Sequence, residues 1–246
     1  MESTQLDFLY HWFDGYVKTF YTDDPEIHPR ILQKEEHTLL VAKHCKDLAQ
    51  ALGLSGPDLV MAEAVGLCHD VGRFKQVTLY RTFKDHDSVN HGLFGVEQLK
   101  AEGIDRQLAP EDWDLLAFVV AWHNAAILPP HPDKRYLTFA RIARDADKLD
   151  IYRVLPPQPP ADGCSPELIA DMLAGKLLYY EDIKKPDDRK LIMASWIYDV
   201  NFPWTIREIG RRGYIDRLFA AMPPSPPLTV IQNRICEHMA ALSNRL

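Results

Sequence analysis

Six side chains of the kinds that bind divalent cations are spread along the first two thirds of the chain. They are His37, His69, Asp70, His91, His123 and Asp147. Imidazole nitrogens and carboxylate oxygens are the ligands that zinc, iron, manganese and similar ions take in proteins. All but one of these residues lie in helical patterns among apolar neighbours, where an unpaired polar group is costly to bury. The set therefore predicts a two-metal site.

Asp147 is the most informative of the six residues. Its neighbours one turn away on a helix include Ala143 and Arg144, and the face is one of small residues suited to close packing. An ionised carboxylate set into such a face must be paired or must bind a metal. A salt bridge with Arg144 or Lys148 is the alternative to a metal, and the residues alone leave both open.

The His69-Asp70 doublet is predicted to end a helix that starts near Ser55. A carboxylate at a helix C-terminus meets the unfavourable end of the helix dipole unless a cation lies nearby. A helix-ending polar pair without a metal is the alternative. His37, on the apolar stripe of its own helix, has a similar alternative as a hydrogen-bonded core histidine.

Apolar residues recur at three- and four-residue steps through most of the chain, and no segment shows the sustained alternation of a strand. Helices are predicted at about 4–20, 30–52, 55–70, 88–100, 110–123 and 136–155, with a polar loop at 79–87, and in the tail at 165–178, 187–198, 206–218 and 228–242. Ser88 is the expected cap of its helix. A proline-rich breaker follows residue 155. The sequence thus predicts an all-α protein with a catalytic core at 1–155 and a helical extension at 156–246 that packs on it.

Composition excludes several classes of protein. The chain has 246 residues, a formal charge of −7, and 46% hydrophobic and 26% charged residues. It lacks the basic footprint of a general nucleic-acid binder, so no stable nucleic-acid partner is expected. Four scattered cysteines without a CxxC pair indicate reduced thiols. The N-terminus lacks the basic start of a secretory signal, and no apolar run reaches the length of a membrane span. A cytoplasmic location is therefore expected.

Three segments carry a family resemblance: EEHTLLVAKHC around His37, LCHDVGRF around the His69-Asp70 doublet, and RDADKLD around Asp147. In order and spacing, over about half of the chain, they resemble the HD-domain superfamily of metal-dependent phosphohydrolases. This resemblance implies an HD-type helical bundle with its site between helices, followed here by a C-terminal helical extension.

The resemblance also implies how many metals are bound. Minimal members hold one metal with a set that corresponds to His37, His69, Asp70 and Asp147. Dinuclear members add two histidines, and NHGLFG (His91) and AWHN (His123) stand in those two places. Two divalent ions (Fe, Mn, Zn, Co, Ni or Mg) are therefore expected. By this resemblance, Asp70 bridges one ion bound by His37, His69 and Asp147 and a second bound by His91 and His123.

The implied chemistry is hydrolysis of a phosphate ester or anhydride, of a nucleotide or another small phosphorylated metabolite. Two divalent metals lower the pKa of a bridging water, supply hydroxide as the nucleophile and neutralise charge on the phosphoryl oxygens. With Asp70, we assign catalytic roles to Arg73 and Lys148 as the predicted phosphate contacts. Further candidates for substrate binding are Lys75, Arg81 and His86. A solvated surface charge is the alternative for each of the basic side chains.

Two other functions stay open. The four-histidine, two-aspartate set also resembles the mixed-valent di-iron oxygenases of this superfamily, such as myo-inositol oxygenase. A non-catalytic regulatory module that binds metal is the second alternative. The chain lacks the GYP motif of the cyclic-dinucleotide subfamily and the long flanking helices of the cyclic-nucleotide phosphodiesterases, so no substrate is assigned. No membrane partner is expected, and a homodimer is an open alternative to a monomer.

Overall fold

The structure of the protein, a computed structural model, describes residues 1–154, 160–176 and 178–243. These residues form α-helices, short 3₁₀ turns and loops, with no strand among them, so the predicted all-α class is confirmed. The chain divides into two compact units, Met1–Asp150 and Ile151–Leu246. The boundary predicted at residue 155 lies outside the described residues, and the packing of the extension on the core stays a prediction.

The first unit is built from helices that carry the candidate ligands or pack behind them. They are α1 (Ser3–Lys18), α2 (His28–Ala51), α3 (Gly56–Cys68), α4 (Val71–Tyr80), α5 (His91–Ala101), α6 (Pro110–Trp122) and α7 (Lys134–Val154), whose last turn extends past the division. Helices α2 and α3 touch backbone to backbone, since a Cβ on Gly66 would lie 2.7 Å from the Ala42 Cα. This contact brings the segments that bear His37 and His69 together.

Glycine also permits the close packing of α4, α5 and α6. A Cβ on Gly72 would lie 2.4 Å from the carbonyl oxygen of His91, and one on Gly92 would lie 2.7 Å from that of Val120. No side chain larger than hydrogen fits these approaches. They hold the start of α4, directly after the doublet, against the start of α5, and the start of α5 against the end of α6.

Helix α4 is not among the predicted helices, because a glycine at position 72, just after the helix predicted at 55–70, favours a helix end. In the structure Val71, Phe74 and Val77 are fully buried at three-residue steps, which is the pattern of a helix that packs one face on a core. The loop that follows covers residues 81–90, so it begins and ends a few residues later than predicted, and it contains a 3₁₀ turn at Asp85–Asp87.

Helix α5 begins at His91 and not near Ser88. The side chain of Asn90 caps it by accepting a hydrogen bond from the backbone N–H of Leu93 at 3.1 Å. The Ser88 hydroxyl donates to the carbonyl of Lys84 at 2.8 Å, so it stabilises the loop and caps no helix.

The second unit contains α8 (Pro166–Leu173), α9 (Asp188–Ser195), α10 (Pro203–Arg211), α11 (Tyr214–Ala220) and α12 (Pro226–Ser243). The single helix predicted at 206–218 is two helices, because Gly213 has a φ of 64° and ends the helical course there. Asp188 accepts hydrogen bonds from the Ser165 N–H at 2.6 Å and its hydroxyl at 2.7 Å. This buried carboxylate ties the start of α8 to the start of α9.

All four cysteines lie in the described ranges and are free thiols, with Cys45, Cys68 and Cys164 buried and Cys236 exposed. Among the described residues, no helix combines the length and the apolar character that a membrane span requires.

Candidate metal centre

The six candidate ligands come from different segments of the first unit and meet at one place. They belong to α2 (His37), the joint between α3 and α4 (His69 and Asp70), the start of α5 (His91), the residue after α6 (His123) and α7 (Asp147). Their donor atoms fall into overlapping groups in which all atoms lie within 4.8 Å of one another. The histidine side chains are at most 5% exposed, whereas the Asp147 side chain is 22% exposed. The cluster is therefore interior and opens at Asp147.

The break between α3 and α4 places the doublet. Helix α3 ends at Cys68 and α4 begins at Val71. Asp70 therefore directly precedes α4 and lies at a helix N-terminus, where the dipole favours a carboxylate. The prediction that Asp70 meets the unfavourable end of a dipole was wrong, because the doublet starts a second helix instead of ending the chain's helical course.

The two carboxylate oxygens of Asp70 face different parts of the cluster. Oδ2 lies 3.6 Å from His37 Nε2 and 3.4 Å from His69 Nε2. Oδ1 lies 3.4 Å from His91 Nε2 and 3.7 Å from His123 Nε2. We define the first half of the cluster as His37, His69 and Asp147, and the second half as His91 and His123. Asp70 lies between the halves and offers one oxygen to each.

Asp147 belongs to the first half by its contacts. Its Oδ1 lies 3.1 Å from His37 Nε2 and 3.8 Å from His69 Nε2. Arg144, one of the two salt-bridge partners considered from the sequence, directs its Nη1 to the backbone carbonyls of His123 and Ala125. That guanidinium therefore holds the segment after α6.

One histidine in each half donates to a carboxylate behind the cluster. His37 Nδ1 donates to Asp150 Oδ2 at 2.7 Å, and His91 Nδ1 donates to Asp85 Oδ2 at 2.6 Å. A metal-binding histidine typically donates its other ring N–H to such a partner, which fixes the orientation of the ring.

The other histidine in each half donates to a backbone carbonyl one turn earlier. His69 Nδ1 donates to the carbonyl of Gly66 at 2.7 Å, and His123 Nδ1 donates to that of Val120 at 2.9 Å. Carbonyl and ionised carboxylate oxygens carry no hydrogen, so the proton of each ring lies on Nδ1. In the neutral form of every ring, the Nε2 atom thus presents a lone pair to the centre of the cluster.

The centre therefore consists of acceptors that face one another. His37 Nε2 and His69 Nε2 are buried without a hydrogen-bond partner, and His91 Nε2 lies 3.1 Å from His123 Nε2. Lone pairs at such distances repel one another unless a cation or a proton lies between them. Imidazoles and carboxylates suit Zn, Fe, Mn, Co and Ni, so the residues present fit divalent cations.

Charges around the cluster keep Asp70 and His91 in the metal-binding form. Burial opposes ionisation of Asp70, but Lys34 and the neighbouring histidines hold the pKa of this carboxyl well below its usual range. Lys34 Nζ lies 2.5 Å from Asp70 Oδ2. Burial, aided by Arg73, lowers the pKa of His91 to about 4. Asp70 is therefore an anion and His91 a neutral ring near neutral pH, as metal coordination requires.

The two basic residues predicted to contact phosphate lie next to the cluster. Arg73 Nε is 3.5 Å from Asp70 Oδ1, but its Nη1 donates to Asp85 at 2.9 Å and also to the Phe83 carbonyl. Its guanidinium therefore fastens the loop before α5. Lys148 is half-buried and directly follows Asp147 on α7.

The other three predicted substrate residues contact groups outside the cluster. Lys75 Nζ donates to Gln98 Oε1 at 2.8 Å. Arg81 pairs with Asp24 and Glu26, each at 2.7 Å. His86 is 64% exposed beside Asp87. Substrate binding by these three side chains stays a prediction.

Sequence analysis missed the supporting roles of Lys34, Asp85 and Asp150. Lys34 lies one helical turn before His37, and Asp150 lies one turn after Asp147, so their spacing held a signal that they share a helix face with a ligand. Asp85 lies in a loop, where no periodicity places a side chain.

The comparisons with known proteins agree with this geometry. The family model described as HD domain matches residues 35–152, just under half of the chain, and the matched segment contains all six clustered residues. No curated protein and no solved structure matches the chain. The HD domain implies a family of metal-dependent hydrolases. Residues 35–152 thus match the HD-domain superfamily that the three sequence segments resemble, and this match supports membership of that superfamily.

Proposed function

We propose that this protein is a metal-dependent phosphohydrolase that cleaves a phosphate ester or anhydride of a nucleotide or another small phosphorylated metabolite. The observation that carries the proposal is the position of Asp70, whose two oxygens face separate histidine pairs inside an HD domain. A shared carboxylate between two sets of nitrogen ligands can hold two ions side by side, and a pair of divalent ions supports in-line hydrolysis of phosphate compounds.

The first half of the cluster would hold one ion and the second half the other, with Asp70 between them. Bound divalent cations, of which Fe, Mn, Zn, Co, Ni and Mg are candidates, lower the pKa of water and neutralise charge on phosphoryl oxygens. The chain's own contribution is rigidity. Each histidine is fixed through Nδ1, so its Nε2 is oriented before any ligand arrives.

Positive charge near the open side of the cluster supports an anionic substrate. Asp147 and Lys34 are the more exposed groups at the first half, with side chains 22% and 18% exposed. The chain as a whole carries a charge of −7, so a phosphate needs a local cation to approach. We assign this role to Lys34 together with Lys148, while Arg73 supplies a fixed charge behind Asp70.

We further propose a cytoplasmic location and a small phosphorylated molecule as the principal partner. The four free thiols support a reducing compartment.

The test is a panel of phosphomonoesters, phosphodiesters and nucleotide anhydrides offered to protein loaded with Mn²⁺, Fe²⁺, Co²⁺ or Ni²⁺. We expect hydrolysis that a chelator abolishes and that Asp70→Asn, which keeps the size of the side chain but removes its charge, also abolishes. His11→Ala, which changes an exposed histidine of α1, is the matched control and should retain full activity.

Two results would contradict the proposal. Oxygen consumption by the iron-loaded protein, coupled to substrate turnover and without hydrolysis, would identify an oxygenase. Substoichiometric metal content that His69→Ala does not change, with no turnover of the panel, would identify a regulatory module.

A further inference from the structure

The carboxylate that orients His91 belongs to a loop. Asp85 lies in the 3₁₀ turn between α4 and α5, and its Oδ2 accepts from His91 Nδ1 at 2.6 Å. Its side chain is 30% exposed. The same oxygen accepts from Asn124 Nδ2 at 3.1 Å, so Asp85 links the loop to both segments that carry the second half of the cluster.

The equivalent support in the first half is built differently. Asp150, which accepts from His37 Nδ1 at 2.7 Å, lies within α7 one turn from Asp147, and its side chain is 0% exposed. A buried carboxylate on a long helix moves only with the helix. A half-buried carboxylate on a loop moves with the loop, and loops sample open states at lower free energy than packed helices do.

Side-chain hydrogen bonds hold the loop between α4 and α5, residues 81–90, against α4. We call this segment the Asp85 loop and its observed position the closed one. Asp85 Oδ1 accepts from Arg73 Nη1 at 2.9 Å and from Gln76 Nε2 at 3.0 Å. Gln76 is buried and also donates to Ser88 Oγ at 2.9 Å and to the Val89 carbonyl at 3.0 Å. Asp85 is therefore the point at which the loop, α4 and the imidazole of His91 are joined.

We propose that Asp85 is the positioning residue of the second half, and that this half therefore releases its cation more readily than the first. This inference rests on the two-ion site of the proposed function. It adds which of the two ions is bound more tightly and which exchanges. The ion at His37, His69 and Asp147 is the resident one. The ion at His91 and His123 is bound only while the Asp85 loop is closed, so loop opening controls its exchange.

The test measures metal content and the coupling between ions, using the full chain and Mn²⁺. Calorimetric titration should resolve two sites of unequal affinity in the unchanged protein, and the electron paramagnetic resonance spectrum should show a coupled Mn²⁺ pair at saturation. Asp85→Asn should weaken the weaker site by roughly 10- to 100-fold and leave the stronger site intact, so the coupled signal gives way to that of an isolated ion. Asp150→Asn should instead weaken the stronger site.

The matched control is Asp87→Asn, which changes an exposed carboxylate two residues away in the same turn, with a side chain 51% exposed. It should bind two ions as the unchanged protein does. Asp85→Glu is a second variant that keeps the charge on a longer side chain, and it should weaken the same single site by less than Asp85→Asn. Circular dichroism verifies that each variant is folded.

The proposal is overturned if Asp85→Asn binds both ions with unchanged affinity, if it weakens both sites equally, or if Asp87→Asn has the same effect. Binding of at most one ion by the unchanged protein would overturn it as well. If two ions bind in the expected order but no phosphate compound is hydrolysed, only the proposed function fails. If hydrolysis occurs and Asp85→Asn leaves both sites intact, only this inference fails.

Discussion

Replacing Gly72 by alanine tests how closely the doublet and His91 are packed. A Cβ on Gly72 would lie 2.4 Å from the carbonyl oxygen of His91 and 2.8 Å from the backbone nitrogen of Gly95. Both are backbone atoms of α5, so no side-chain rotation relieves the overlap. Helices α4 and α5 must separate by about 1 Å to restore ordinary contact.

The size of the effect follows from a comparison with Gly15. Gly15 lies inside α1 with nothing within 4 Å of its would-be Cβ, so Gly15→Ala should stabilise the first unit by about 0.5–1 kcal/mol. Gly72→Ala adds the same methyl group to a filled space, and overpacking of this kind costs about 1–3 kcal/mol. Because both glycines lie in helices, the gain from alanine is common to the two variants, and they should differ in the free energy of unfolding by the overpacking cost, roughly 1–3 kcal/mol.

Urea unfolding of the two variants and the unchanged protein measures this difference. A Mn²⁺ titration adds a second readout, because the overlap falls on the ligand residue His91 and should lower Mn²⁺ affinity in the second half first. A Gly72→Ala protein as stable as Gly15→Ala, with unchanged Mn²⁺ binding, would refute the argument that close backbone packing holds this part of the site.

Two further predictions concern charged side chains. Lys34→Gln removes the ammonium 2.5 Å from Asp70 Oδ2, so Mn²⁺ should bind about tenfold more tightly in calorimetry while hydrolysis falls. Lys43→Gln, an exposed change on the same helix, is its control. Weaker Mn²⁺ binding by Lys34→Gln would contradict the argument that the Lys34 ammonium competes with Mn²⁺ for the Asp70 carboxylate. Asp188→Asn should lower the unfolding free energy at neutral pH by about 1–3 kcal/mol, whereas the exposed change Asp171→Asn should have little effect. Burial opposes ionisation of Asp188, but hydrogen bonds from Ser165, Lys184 and Lys185 lower its pKa. Its contribution is therefore complete above the unfolded-state pKa and lost as the pH falls through the folded-state pKa. An Asp188→Asn deficit in urea unfolding that stays the same in acid would contradict this linkage.

The features that could be predicted from the sequence are those with a local signal. Helical periodicity predicted the all-α class, and one apolar run predicted the helix at 110–123, which the structure shows as α6, Pro110–Trp122. Helix α4 was missed because a glycine such as Gly72 has two structural interpretations. It can end a helix, or it can permit another backbone to pass within contact distance. Only the position of α5 distinguishes them, and that is a long-range property of the fold.

The same limit explains the errors around Asp70. A residue between two helices can belong to the end of one or to the start of the next. The helix dipole disfavours a carboxylate in the first case and favours it in the second. The His69-Asp70 pair is consistent with either assignment until Val71 and Phe74 are known to be buried on one face. Asp85 illustrates a further limit, because a loop residue acquires its partner only when the loop is placed against α5.

A cluster made of acceptors has a consequence for the chain without metal. Four imidazole lone pairs and two carboxylates in a buried space repel one another, and that repulsion destabilises the fold unless positive charge offsets it. Lys34 supplies such charge at Asp70 Oδ2. Burial and Lys34 lower the pKa of His37, but Asp147 and Asp150 outweigh them and raise it. A proton on His37 can therefore supply positive charge in place of a metal ion, as the Lys34 ammonium does. Both substitutes lie at the first half of the cluster. The cations near the second half are guanidinium groups held by other partners: Arg73 is fastened to the Asp85 loop, and Arg144 donates to the backbone carbonyls of His123 and Ala125. The asymmetry that we infer for metal exchange is thus present in the charges of the metal-free protein as well as in the carboxylates that support the two halves.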